Sequence, residues 1–345
     1  MQNHGLVRAT TAALLTAAST RERNSPGRER VAQLVFASLA ACSVVILVLV
    51  VTYVMWRGWP AFKANGLSYF GNQNNPDLDR QLLYATNSHP SGTPYRELHA
   101  WPAIYGTLLT TGGAILVGLP FSLLASIFVA ELAPRPLARL LEPLVRILAA
   151  VPSVVWGLFG LLVLARFIGR VLISDRLVIR YAPVVSLHGK SILLGIVVLV
   201  FMTVPFQIAI FTDALRAVPA AWREGGRALG LDAWRTTLKI SLPVIRPAIA
   251  TGVVLATGRA IGEAIALSMT TGSRSFVPNP LDGLVFFLEP ARPLAGALVE
   301  FNEGIDRPEI GADLFSFAAL ILVSALALML AVRVATAPVR ARSTL

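Results

Sequence analysis

Arg259 and Glu263 stand in a stretch, 247–271, that is otherwise apolar. A charge at mid-bilayer costs about 2.5–3.5 kcal/mol on insertion scales, so such residues face a partner or an aqueous path. Four apart on a helix, the two share a face and can pair. Either Arg259 offers a guanidinium fork to a dianionic oxyanion while Glu263 holds it in place or forms part of a gate, or the two make a structural ion pair against neighbouring helices. A second group lies upstream in a basic stretch: Glu224, Gly225, Gly226 and Gly230, then Ile240, Leu242 and Pro243. Trp222, Leu229 and Trp234 recur among its charges at roughly helical spacing, Gly230 interrupts, and Pro243 starts the next helix. This predicts a helix, a turn and a helix on a membrane face.

Other chemistry is not visible. The single cysteine, Cys42, lies in an apolar run, which excludes an intrachain disulfide and a Cys-rich metal site. His4, His89, His99 and His188 show no metal-binding spacing, and no nucleophile and base pair is evident. Gly189-Lys190-Ser191 resembles the end of a phosphate-binding loop, but the required upstream glycine is Val184. No cofactor or nucleotide site is expected in this chain.

The elements that hold these residues follow from composition. The 345 residues are 55% hydrophobic and only 14% charged, with a mean hydropathy of +0.67. Soluble domains run at about 45–50% apolar and about 25% charged. The excess is concentrated in charge-free runs at 31–55, 105–129, 147–165, 192–212 and 314–332, with 247–271 as a sixth. Each is long enough to cross a hydrocarbon core of about 30 Å. Six spans put both termini on one side. With the first tail taken as inside, the inner segments hold 17 Lys and Arg against 12 outside, and 7 acidic residues against 11. The positive-inside rule then makes both termini cytoplasmic and accounts for the overall +11. The first span exceeds the usual 7–15-residue core of a secretory signal and reads as a retained anchor, with Trp56 and Trp59 at its outer end. Prolines 120, 152 and 205 can kink their spans, and Gly112, Gly113, Gly118, Gly157 and Gly160 allow close helix packing. The organisation is a tail 1–30, an anchor 31–56, an external loop 57–104, a core 105–335 containing an inner loop 213–246, and a tail 336–345.

Glu224, with Gly230 six residues on, Ile240 ten further and Leu242-Pro243, resembles the EAA loop of ABC importer permeases. Gly225-Gly226 replaces that family's usual Ala-Ala, which lowers helix propensity by up to about 1 kcal/mol each. The segments Ala103-Ile104-Tyr105-Gly106-Thr107-Leu108-Leu109-Thr110, Glu131-Leu132-Ala133-Pro134, Ala149-Ala150-Val151-Pro152-Ser153-Val154-Val155-Trp156-Gly157 and Gly258-Arg259-Ala260-Ile261-Gly262-Glu263 are similar to those of phosphate ABC transporter permeases. The run Ala-Ile-Ala-Leu-Ser-Met after Glu263 resembles the PstC-type subunit, although Ala264 stands where Thr is usual.

The resemblance implies an all-α integral membrane protein with six transmembrane helices and a type I ABC importer permease-like fold, in a bacterial plasma (inner) membrane. It implies a transport subunit rather than an enzyme, with ATP hydrolysed on a separate PstB-type ATPase dimer that grips the loop at Glu224. A second, PstA-type permease and an external PstS-type phosphate-binding protein would complete the assembly. Arg259 and Glu263 would line the substrate path. Molybdate or sulfate as cargo remains an alternative. An ion-coupled secondary transporter would need no docking loop.

Overall fold

Thr107 and Thr110 turn their hydroxyls back onto the carbonyls of Ala103 and Gly106, at 2.8 Å each, so these polar groups travel inside an apolar helix without exposing a donor. The helix is α2, Trp101–Ile127, extended by a π-helical turn Phe128–Leu132. The structure, a computed structural model, describes residues 26–71, 98–182, 185–275, 277–306 and 308–342. Expectations for 1–25 and 72–97, and Val184, fall outside the described residues.

The remaining helices are α1 Pro26–Asn65, α3 Arg135–Ala150, α4 Ser153–Val171, α5 Asp175–Tyr181, α6 Ile192–Arg216, α7 Ala220–Ala228, α8 Ala233–Val244, α9 Arg246–Ile261, α10 Ile265–Thr270, α11 Leu294–Glu300 and α12 Pro308–Arg342. Among the described residues there is no strand; one isolated bridge joins Gly272 and Ala291. Among the described residues, five helices are long and apolar enough to cross a membrane, and α8 with α9, bent by 69°, makes up to six. The all-α, multi-span fold expected from the sequence is therefore present.

The chain divides into two units, 1–53 and 54–345. In the first, every side chain from Val31 to Val50 is exposed. An apolar helical run of this length suits a lipid environment. In the second, α2 and α6 form the central pair. Gly113 on α2 makes room for Ile196, whose Cδ1 stands 2.6 Å from where a Cβ would be, and Gly118 does the same for Val204. On α4, Gly157 faces Ala266 and Gly160 faces Val198 and Thr270, so small residues let three helices approach closely. Gly112 meets nothing within 4 Å.

The last part of α1 is tied down differently. Tyr69, Leu98, Ala103, Leu294, Leu314 and Phe317 form a buried cluster with the Tyr69 hydroxyl 2.7 Å from Ser316 Oγ. At Gly58 a Cβ would stand 2.9 Å from the backbone of Phe315 and Ser316, which cannot rotate away. Gly58→Val is expected to destabilise the protein by about 1–3 kcal/mol, read as a lower thermal midpoint of the solubilised protein. An unchanged midpoint would show that α1 and α12 are free to part here.

Several boundaries differ from those expected. The span placed at 147–165 runs Ser153–Val171, because Pro152 ends α3 and α3 is a separate amphipathic helix carrying Arg139, Glu142 and Arg146. The sixth span, 247–271, is not one helix: α9 stops at Ile261 and α10 begins at Ile265. Pro243 lies in the last turn of α8 instead of starting a helix. Pro247, at the second position of α9, makes the break at Ile245, since its ring would clash with the carbonyl four residues back. The helix α12 also continues through 336 to Arg342.

Candidate functional site

The segment after α6 builds a surface from residues far apart in sequence. Pro219 precedes α7, and Gly230, at φ +83°, reverses the chain after it. The amides of Gly230 and Leu231 return to the carbonyls of Arg227 and Gly226, at 2.9 and 3.2 Å. Asp232 then caps α8 by accepting from the Arg235 amide at 2.6 Å. The expected helix, turn and helix is what forms.

Within it, two of the singled-out residues meet. Gly226 is buried, and a Cβ there would lie 2.5 Å from Ile240 Cδ1. Leu242 packs on a cluster of Ile127, Leu215, Val218 and Ile245, and Pro243 is half-buried. Glu224, Gly225 and Gly230 point away and are exposed. So are Trp222, at 53%, and Leu229, at 86%, which leaves large apolar side chains standing out of a polar segment. At Gly225 nothing lies within 4 Å of a would-be Cβ, so Gly225→Ala is expected to add about 0.5–1 kcal/mol of helix stability and raise the thermal midpoint. A lowered midpoint would show that α7 is not an ordinary helix in solution.

This loop is anchored by residues that had no assigned role at the level of sequence, Glu131 entering there only as part of a family-like segment. Glu131, at the end of α2, accepts from Arg223 Nη1 at 3.1 Å and from Ser241 Oγ at 3.3 Å, and Arg223 Nη2 donates to Val218 O at 2.9 Å. Arg216 pairs with Glu142, and Arg146 with Asp213 at 3.0 Å, both on exposed surface. The signal for the first was a lone carboxylate at the end of a charge-free span, but its partner lies 92 residues away.

Arg259 and Glu263 are not brought together. The break after Ile261 separates them, and Glu263, buried, uses Oε1 to accept from the Ala266 amide at 3.1 Å, capping α10. Arg259 is half-buried, with Cζ 5.9 Å from the Phe206 ring centroid on α6. No carboxylate among the described residues is within ion-pair distance of it. Of the two readings, the intramembrane ion pair is not formed, because Gly262 ends the helix on which four-residue spacing would align the two. Beside Phe206, Gln207 is fully buried with both amide atoms lacking a partner among the described residues.

Gly189-Lys190-Ser191 serves structure: Ser191 Oγ accepts from the Leu194 amide at 3.3 Å and caps α6. Near the same helix end, Glu289 is buried, its carbonyl accepting from the Ile192 amide at 3.0 Å. Burial, and then the nearby Asp282, push the Glu289 carboxyl up to about 7, against the pull of the Asn279 backbone.

Comparison with known proteins places this geometry. The family model described as "Binding-protein-dependent transport system inner membrane component" matches residues 122–341. "Probable ABC transporter permease protein YqgH" of Bacillus subtilis is 30% identical over 71% of this chain and 73% of its own. "Phosphate transport system permease protein PstC" of Mesorhizobium japonicum is 28% identical over 78% of this chain and 79% of its own. A chain from the crystal structure of a bacterial alginate ABC transporter in complex with its alginate pentasaccharide-bound periplasmic protein superposes with a TM-score of 0.54 at 16% identity, covering 89% of this chain and 95% of that one, which shows the fold alone. The matched span takes in the π-turn of α2, the loop carrying Glu224 and the broken helix carrying Arg259, and the chain belongs to the family of inner membrane components of binding-protein-dependent ABC importers.

Proposed function

We propose that this permease imports inorganic phosphate, with Arg259 in the translocation path and ATP hydrolysed on a separate ATPase dimer docked at α7. The observation that carries the cargo is Arg259 itself: a half-buried guanidinium on a membrane helix, over Phe206, without a carboxylate partner among the described residues. A fork of donors left free in a low-dielectric setting suits a tetrahedral dianion. The relatives named as phosphate transport permeases favour phosphate among oxyanions.

In this reading a PstA-type permease pairs with the chain, a PstS-type protein delivers phosphate from outside, and a PstB-type ATPase dimer works inside. Both termini and the loop 213–246 then lie on the cytoplasmic side of the plasma membrane, as the charge distribution favours. Glu224, Gly225 and Gly230 form the exposed contact, while Gly226, Ile240, Leu242 and Pro243 shape it from below. ATP binding closes the ATPases, α7 moves with them, and the spans switch from inward to outward opening. Glu263 acts by holding the break between α9 and α10.

The cargo is tested in the reconstituted complex by the ATP hydrolysis that the loaded binding protein stimulates. Phosphate-loaded protein should stimulate, and molybdate or sulfate should neither stimulate nor compete. Equal stimulation by another oxyanion would reassign the cargo.

A further inference from the structure

Glu131 stands at a junction that the coupling loop does not explain by itself. It lies in the π-turn Phe128–Leu132, and Ser241 closes a second π-turn, Thr237–Ser241, within α8. Such a turn inserts one residue into the helical repeat and re-aims the side chains around it. Here the two turns aim Glu131 and Ser241 at each other, 3.3 Å apart, while Arg223 reaches in from α7 at 3.1 Å. The Glu131 side chain is only 6% exposed and that of Arg223 21%.

Burial decides what this contact can do. Removing the cation from a buried carboxylate leaves an uncompensated charge, which is strongly unfavourable, so the pair stays closed while its surroundings move. The exposed pairs at the same end, Arg216 with Glu142 and Arg146 with Asp213, open to water at little cost. Below Glu131, Ile127, Leu215, Val218 and Ile245 pack the ends of α2 and α6 against the start of α9.

We propose that Glu131 is a positioning residue for transport: through Arg223 and Ser241 it locks α7 and α8 to the end of α2. A displacement of α7 is then delivered to α2 instead of being absorbed by the turn at 217–219. The proposal rests on α7 being the ATPase contact.

The test uses the whole complex in proteoliposomes, with phosphate uptake and ATP hydrolysis measured on the same sample. Glu131→Gln should leave hydrolysis within about twofold while phosphate moved per ATP falls about tenfold. The reciprocal exchange, Glu131→Arg with Arg223→Glu, should recover most of that ratio. A merely structural role lowers both rates with the amount of assembled complex, so an unchanged ratio overturns the lock. Should Glu131→Gln fail to assemble, spin labels at Leu132→Cys and Ala228→Cys in a Cys42→Ser background give a second measurement, since both positions are exposed and Cys42 is the single cysteine. One narrow distance unaffected by nucleotide supports the lock, and a nucleotide-dependent distance overturns it. Glu224→Lys separates the two levels. If it leaves ATPase binding and uptake intact, α7 is not the contact and the lock has no role in transport. If it uncouples while Glu131→Gln does not, only the lock fails.

Discussion

Replacing Glu224 with Lys is expected to leave the protein in the membrane with its fold intact and to cut ATP-driven uptake by about 30-fold or more. Glu224 is exposed on α7 and makes no described contact that a longer side chain would break. Surface substitutions away from packing and networks change stability by about 0.5 kcal/mol or less. Any large loss must therefore come from a surface that meets another protein. Losing a charged contact at the core of an interface costs about 2–5 kcal/mol, which is the origin of the expected factor. Co-purification of the ATPase with the membrane subunits checks this directly. Wild-type uptake and full ATPase recovery in the variant would remove α7 from the coupling path.

Arg259→Gln is expected to abolish most uptake, by about 100-fold, while the assembled complex survives. The guanidinium makes no ion pair among the described residues, and its described partner is the Phe206 ring, a contact contributing about 0.5–1 kcal/mol to stability. Toward a dianion it would provide charge-assisted hydrogen bonds at about 1.5–3 kcal/mol each, so one strong bond, or two at the lower value, accounts for a factor of about 100. Lys in its place keeps the charge without the planar fork and should recover only part of the rate. Uptake and the yield of complex are measured together. Loss of the complex would make Arg259 a packing residue, and unchanged uptake would take it out of the path.

The spans were legible because a helix crossing lipid must satisfy its backbone internally and present some twenty apolar side chains, and composition alone records that. The exposed and buried faces of α7 were not. Nothing in the run Glu224-Gly225-Gly226 tells which glycine faces Ile240; the turn at Gly230 decides it. The break between α9 and α10 was hidden for a related reason. Its residues stay apolar on both sides, so hydropathy runs through it, and the four-residue spacing of Arg259 and Glu263 carries meaning only on an unbroken helix. Pro152 did announce the end of α3, but the apolar run beginning at 147 masked it. The Glu131 to Arg223 contact spans 92 residues and two helices, and no local pattern contains it.

The most direct test of the whole account is uptake of radiolabelled phosphate into proteoliposomes holding this permease with its partner subunits and binding protein, with and without ATP on the ATPase side. ATP-driven, binding-protein-dependent import requires uptake that needs both ATP and the binding protein and is unaffected by collapsing ion gradients. Uptake of equal rate without ATP, driven by an imposed ion gradient, would contradict it.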